Sequence, residues 1–202
     1  MTTWADLITR VADDLDRTDM NTQIERDLKK AVQHYETQRW WFNEASTSTT
    51  ATSSEQSFSP PSDLLILDQL EVEINSRPFR LTEYSWDRFL DEWRPTTSVG
   101  QPNDFAWRDN KVWLGPKPNQ DYTLQWHYIK TLSPSSFTSG TDNAWTNFAE
   151  DLLTARALKT LGARPLGINQ PLAYWQQLEK EAYSTLCGMN EQKMMTGKTR
   201  PW

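Results

Sequence analysis

Cysteine is nearly missing from this 202-residue chain: Cys187 stands alone, which excludes an intrachain disulfide and supplies no metal framework. Histidine is almost as scarce, with only His34 and His127. His34 lies beside core-facing Tyr35 and His127 alternates with Trp126, so both read as surface residues without a metal-like neighbour. No apolar run approaches the ~18 residues of a membrane span; the longest, Leu64-Leu65-Ile66-Leu67, has four. No basic, apolar leader opens the chain, and the expectation is a protein that works without crossing a membrane. Cations are outnumbered, 21 Lys and Arg against 27 Asp and Glu, and a pI near 5.0 disfavours a protein that grips phosphates.

Aliphatic residues are also thin: Leu, Ile, Val and Phe together number 38 of 202. The net charge of −6 is small for this length, and 11 Trp with 6 Tyr supply the missing packing area. A folded protein follows, one whose tryptophans exceed what core filling alone requires. Trp has an apolar body and a polar N–H tip, which suits half-wet contacts between proteins.

Motifs for chemistry are missing too. No Gly-x-Ser-x-Gly elbow and no His-Glu-x-x-His occur. Thr196-Gly197-Lys198-Thr199 mimics the end of a phosphate-binding loop, but Gln192 stands where the pattern needs glycine, and only three residues follow. Glu71 and Glu73 share one face of a strand, opposite Leu70, Val72 and Ile74, and read as its solvated side. The cluster Asp13, Asp14 and Asp16 reads as a wet helix face. No catalytic, metal or cofactor residue is assigned, and the expectation is a protein that is not an enzyme.

What is present is periodic. Trp4, Leu7, Ile8, Val11 and Leu15 repeat at helical spacing, with Thr3 and Asp6 suited to a capped start. After a link at Arg17–Asp19, Met20, Ile24, Leu28, Ala31, Val32 and Tyr35 predict a second helix to about Trp40, antiparallel to the first. Leu70 to Ile74 alternates as a half-buried strand, turned at Asn75-Ser76. A short helix carries Trp86, Phe89, Leu90 and Trp93. Asp109-Asn110 suits a hairpin turn between two further strands, and Tyr122, Leu124, Trp126 and Tyr128 line one face of another. Helical spacing returns with Trp145, Phe148, Leu152, Leu158 and Leu161, and again with Leu172, Trp175, Leu178, Ala182 and Leu186, before fading beyond Gly188. The expected fold is α+β. A four-helix bundle of N- and C-terminal hairpins (1–42 and 141–195) carries an inserted antiparallel β module (43–140) with one short helix. Residues 196–202 form an extended tail.

The junction near residue 43 is unusual. Trp40, Trp41 and Phe42 crowd a helix exit, and ten of the sixteen residues 45–60 are Ser or Thr. Consecutive helical residues diverge by about 100°, so three aromatics cannot share one buried stripe. One or two are expected to lock the junction while the remainder meets a neighbour. The Ser/Thr strand is expected to be an exposed β arm, its polarity guarding against aggregation.

Arg39, Trp41, Phe42 and Asn43 at the helix exit, and Ala155 to Gly167 joining the closing helices, carry a resemblance. The chain resembles the head-to-tail adaptor proteins of short-tailed bacteriophages, the T7-like adaptor family and its distant relatives, over nearly its whole length as an architecture. The resemblance implies a virion structural protein at the head-to-tail junction, assembled in the host cytoplasm. It implies a homo-oligomeric ring, usually dodecameric, that binds the portal protein, extends the DNA channel and offers a platform to tail nozzle or tail fibre proteins. Double-stranded DNA would pass without specific binding, and no membrane partner or cofactor is implied. Carried onto this chain, Lys198, Arg200 and Trp202 would form a portal-docking arm, and Trp40, Trp41 and Phe42 a subunit interface. Two alternatives stand beside it: a carbohydrate-binding β module with Trp107, Trp113 and Trp126 as a stacking platform, and a hydrolase using Asp or Glu residues in a cleft.

Overall fold

The computed structural model describes residues 2–93, 99–132, 137–138, 140, 142–163 and 171–198, with side chains as far as Met194 on the last helix. The chain divides into two compact units, Met1–Asn43 with Leu132–Trp202, and Glu44–Thr131.

In the helical unit, α1 (Trp4–Leu15) opens with a reciprocal cap. The Thr3 hydroxyl accepts the Asp6 N–H at 3.2 Å, and the Asp6 carboxylate accepts the Thr3 N–H at 2.8 Å. These bonds satisfy donors that a helix start otherwise leaves unpaired. The helix buries Trp4, Leu7, Val11 and Leu15 and stops at Asp16, which takes left-handed backbone at φ 52. Next, α2 (Asn21–Tyr35) buries Ile24, Leu28, Ala31, Val32 and Tyr35. It ends five residues before Trp40, because the Trp40 indole N–H turns back to the Tyr35 carbonyl at 2.9 Å and terminates the last turn. A single 3-10 turn, Trp41–Asn43, follows.

The returning chain forms α4 (Ala144–Phe148), α5 (Glu150–Gly162) and α6 (Leu172–Lys198), numbered after the short α3 (Trp86–Glu92) of the other unit. The helix expected to begin at Trp145 breaks at Ala149, whose φ of −124 is not helical, so α4 and α5 are separate. Apolar and small residues cover most of α5, and it lies central, packed against α1, α2 and α6. The core collects Trp4, Trp40, Trp145 and Trp175 around Leu7, Ile24, Leu28, Leu153 and Leu161. Each enclosed Trp contributes roughly 5 kcal/mol of transfer free energy before entropy is charged, which compensates for the thin aliphatic content.

The other unit is a layered β structure. Strands β1 (Glu44–Ala51), β10 (Tyr122–Lys130), β3 (Leu64–Ile74) and β4 (Arg77–Arg80) form an antiparallel sheet in the order β1-β10-β3-β4. A second sheet runs β2 (Ser57–Phe58), β8 (Lys111–Gly115), β7 (Asp104–Arg108), β5 (Thr82–Tyr84). A third pairs β6 (Val99–Gly100) with β9 (Lys117–Pro118). Helix α3 (Trp86–Glu92) lies between β5 and β6 in sequence. The Asn75-Ser76 and Asp109-Asn110 turns take positive φ at both residues, the two-residue hairpin geometry matched to strand twist. One core is shared by the two larger sheets: Leu70, Val72, Tyr122, Leu124 and Trp126 from the first meet Phe58, Phe105, Val112 and Leu114 from the second.

The expected four-helix bundle with an antiparallel β insertion is therefore corrected. Among the described residues there are six α-helices and ten strands in three sheets. Two strand pairings, β5 with β7 and β6 with β9, are parallel. The physical reason is that the β unit closes a sandwich core of its own, so it needs no helical base to cover its apolar face. Helix α6 also continues to Lys198, past the fading of its apolar period.

Candidate interaction surface of the helical unit

The three aromatics after α2 separate by depth. Trp40 is 1% exposed, with its ring edge-on to Trp145 at 6.4 Å. Trp41 and Phe42 are half-buried. Phe42 packs against Trp145 at 5.1 Å on its inner side and stacks on Phe148 at 5.7 Å on its outer side. Trp41 meets Phe148 at 5.4 Å, and Phe148 itself is 47% exposed. The aromatic cluster thus has a closed inner end at Trp40 and Trp145 and an open rim at Trp41, Phe42 and Phe148.

Phe148 also lines a groove of about 630 Å³ between α5 and α6. Leu152, Leu158, Tyr174, Leu178, Leu186 and Met189 line it. Tyr174 and Met189 are exposed beside it. At the rim Arg10 of α1 bridges Glu150 at 3.2 Å and Asp151 at 2.7 Å. Burial pushes the neighbouring Asp14 carboxyl up, with Arg10 opposing.

The groove walls are held from within by a buried carboxylate. Glu179 of α6 accepts from the Tyr35 hydroxyl at 2.7 Å, the Arg156 guanidinium at 2.7 Å and the Lys159 ammonium at 2.6 Å. Burial raises the Glu179 pKa, but the hydrogen bonds from Lys159, Tyr35 and Arg156 together hold it below the usual carboxylate value. Burial, then the facing Glu179, push the Tyr35 hydroxyl far up, so it stays a donor. The network joins α2, α5 and α6 and sets their spacing.

Among the described residues no group of three or more His, Cys, Asp and Glu could hold a metal ion, and no helix is long and apolar enough to cross a membrane. The carbohydrate platform does not form. Trp126 is 0% exposed, its indole N–H bonded to the Thr49 hydroxyl at 2.8 Å. Trp107 pairs across to Val112 and Trp113 to Ala106, which puts these two tryptophans on opposite faces of their sheet. Glu71 and Glu73 lie half-buried on the polar side of β3.

A family model for the SU10 adaptor protein matches residues 2–201. The chain belongs to the SU10 adaptor protein family. The match covers both units and is consistent with a phage head-to-tail adaptor, a structural component of the virion. A comparison with curated proteins finds no match. In this adaptor, the residues expected at an interface are dispersed. Trp40 is in the core, Trp41 and Phe42 are at the open rim, Lys198 is the last residue of α6, and Arg200 and Trp202 lie outside the described residues. So does most of the link from Ala155 to Gly167 beyond α5.

Tryptophan was expected to supply the open surface. Of the ten described tryptophans, five are buried and five half-buried, and none is exposed. Among the described residues of the adaptor's helical unit, the exposed large apolar side chains are instead Phe148, Leu172, Tyr174 and Met189. One signal for them existed: Tyr174 precedes Trp175, so one of the two adjacent aromatics had to leave the buried stripe.

Proposed function

We propose that this chain assembles as a homo-oligomeric, dodecameric ring that binds the portal, extends the DNA channel and carries tail nozzle or tail fibre proteins. What supports this beyond the family is the continuity of the Trp41–Phe42–Phe148 rim with the α5–α6 groove. A unit that encloses Trp4, Trp40, Trp145 and Trp175 yet leaves this band open has a surface suited to a neighbour. A ring built head to tail needs two different patches per subunit, and this band would serve as one of them. Lys198, Arg200 and Trp202 would dock on the portal as an arm. Duplex DNA would pass through without specific binding, and assembly would take place in the host cytoplasm.

The test is to mix the purified chain with portal rings and image the product by electron microscopy. Wild type should add a ring to each portal. Trp41→Ala with Phe148→Ala should fold, by circular dichroism, yet fail to close rings. Wild-type assembly by that double variant would overturn the interface, and absence of any ring with wild type would overturn the ring itself. Removing residues 199–202 should weaken retention on portals while leaving the fold intact.

A further inference from the structure

From Trp40 to Ser76, 37 consecutive residues, the chain has no Lys or Arg. The fold turns that gap into a surface. The stretch supplies β1, β2 and β3, and between β1 and β3 runs β10, whose single Lys or Arg is Lys130 at its far end. Cross-strand partners share a face. On the side turned away from the core, Ser48 lies beside Gln125 and then Glu71, while Thr50 lies beside Thr123 and then Glu73. Ser46 begins the adjacent row with His127 and Gln69. Arg80, on the far edge strand β4 beside Glu71, is the one Lys or Arg reached by these rows. Apart from the His127 imidazole, which lies 3.4 Å from the Glu71 carboxylate, these rows on β1, β10 and β3 are hydroxyl, amide and carboxylate, and the whole unit has 13 Asp and Glu against 8 Lys and Arg.

An ordinary solvated sheet face intersperses both signs of charge. An ordinary edge strand is guarded by lysine, proline or a bulge. Strand β1 is an edge strand eight residues long, and its register with β10 runs without a shift. It has none of the usual guards, only Ser and Thr on its exposed positions apart from Glu44. Forgoing lysine where lysine is the common protection points to a surface on which cations are harmful.

We propose that the outward face of the β1-β10-β3 sheet is the surface past which duplex DNA travels. Its lack of cations keeps phosphates from adhering. Each lysine facing a phosphate would release counterions and add a salt-dependent hold, whereas hydroxyls and amides offer only contacts that water replaces. Carboxylates at Glu71 and Glu73 add repulsion, screened within a Debye length of roughly 8 Å at physiological salt. This inference rests on the ring reading and assigns its lumen face.

The experiment complements particles with chains carrying Ser46→Lys, Ser48→Lys and Thr50→Lys together, or Gln125→Lys alone. A control adds the same charge on exposed α2 positions of the other unit, Thr22→Lys, Gln23→Lys and Gln33→Lys. Portal-bound rings are imaged first, and DNA release is then timed at low and high salt. The triple sheet variant should form rings and slow release by about tenfold at low ionic strength. Salt should relieve the delay, Gln125→Lys should slow release less, and the control should release normally. Wild-type release kinetics from the sheet variants would overturn the inference alone. So would a folded sheet variant that cannot form rings or hold tail proteins, since the face would then be a protein contact. Absence of rings with the wild-type chain would overturn the ring reading and this inference with it.

Discussion

The carboxamide of Asn190 holds Trp41 in place: its Oδ1 accepts the Trp41 N–H at 2.9 Å, and its Nδ2 donates to the Arg39 carbonyl at 3.1 Å. Asn190 lies on α6, so the same helix that forms one wall of the groove also fixes the start of the aromatic rim. Asn190→Ala should cost about 1–2 kcal/mol in urea denaturation, because one backbone N–H loses its partner. Ring formation on portals should fall further than that loss of stability explains. Assembly unchanged at matched stability would separate the rim from this clamp.

Trp40 and Trp41 are adjacent in sequence but opposite in role, and substitution should separate them. Trp40→Ala removes a ring enclosed between Phe42, Trp145 and Tyr183 and its bond to the Tyr35 carbonyl, and should cost about 3–5 kcal/mol. Trp41→Ala, half-buried against Phe148, should cost about 1 kcal/mol in the same denaturation experiment. Equal losses would contradict the burial of Trp40 beneath Trp41 and Phe42.

Acid should weaken the helical unit through Glu179. Its folded pKa lies below the ordinary 4.5, so in the pH range between the two values the unfolded chain binds the proton first. The stabilisation is present above the unfolded value and is lost as pH falls through the folded one. Glu179→Gln should lower stability by about 2–4 kcal/mol at pH 7, because Arg156 and Lys159 lose their shared anion. Thermal melts from pH 7 to pH 3 should show that gap narrowing below about pH 4.5. A gap independent of pH would remove the carboxylate from the account.

Gly115 tests the β unit. A Cβ there would lie 2.4 Å from Trp93 Cδ1, so any side chain must displace the indole ring. That ring's N–H donates to Asp104 at 3.0 Å, and the displacement would break this bond as well. Gly115→Ala should destabilise by about 1–3 kcal/mol in denaturant melts. Neutral behaviour would show that Trp93 has room to move.

Much of the local structure was legible in residue order. Thr3 and Asp6 announce the α1 cap, and Asn75-Ser76 and Asp109-Asn110 announce their hairpins. The alternation from Tyr122 to Tyr128 predicts which side of β10 is buried, since each of these signals acts over a few residues. The end of α2 was not legible, because nothing near Tyr35 shows that the Trp40 indole will turn back to its carbonyl. The break at Ala149 was equally hidden, in a sequence with good helix formers on both sides. The parallel pairing of β5 with β7 joins residues about twenty positions apart, beyond the reach of any local pattern.

The candidate surface divides in the same way. Residue order alone determined that the protein has few tools for chemistry, a surplus of aromatic area and a polar strand after Asn43, because composition and spacing are properties of the chain itself. Only the tertiary structure decided that Trp40 is core, that Phe148 and Tyr174 stand at an open groove, and that a run without cations becomes one continuous sheet face. Those outcomes depend on which distant segments meet, and burial is a property of the meeting, not of either segment.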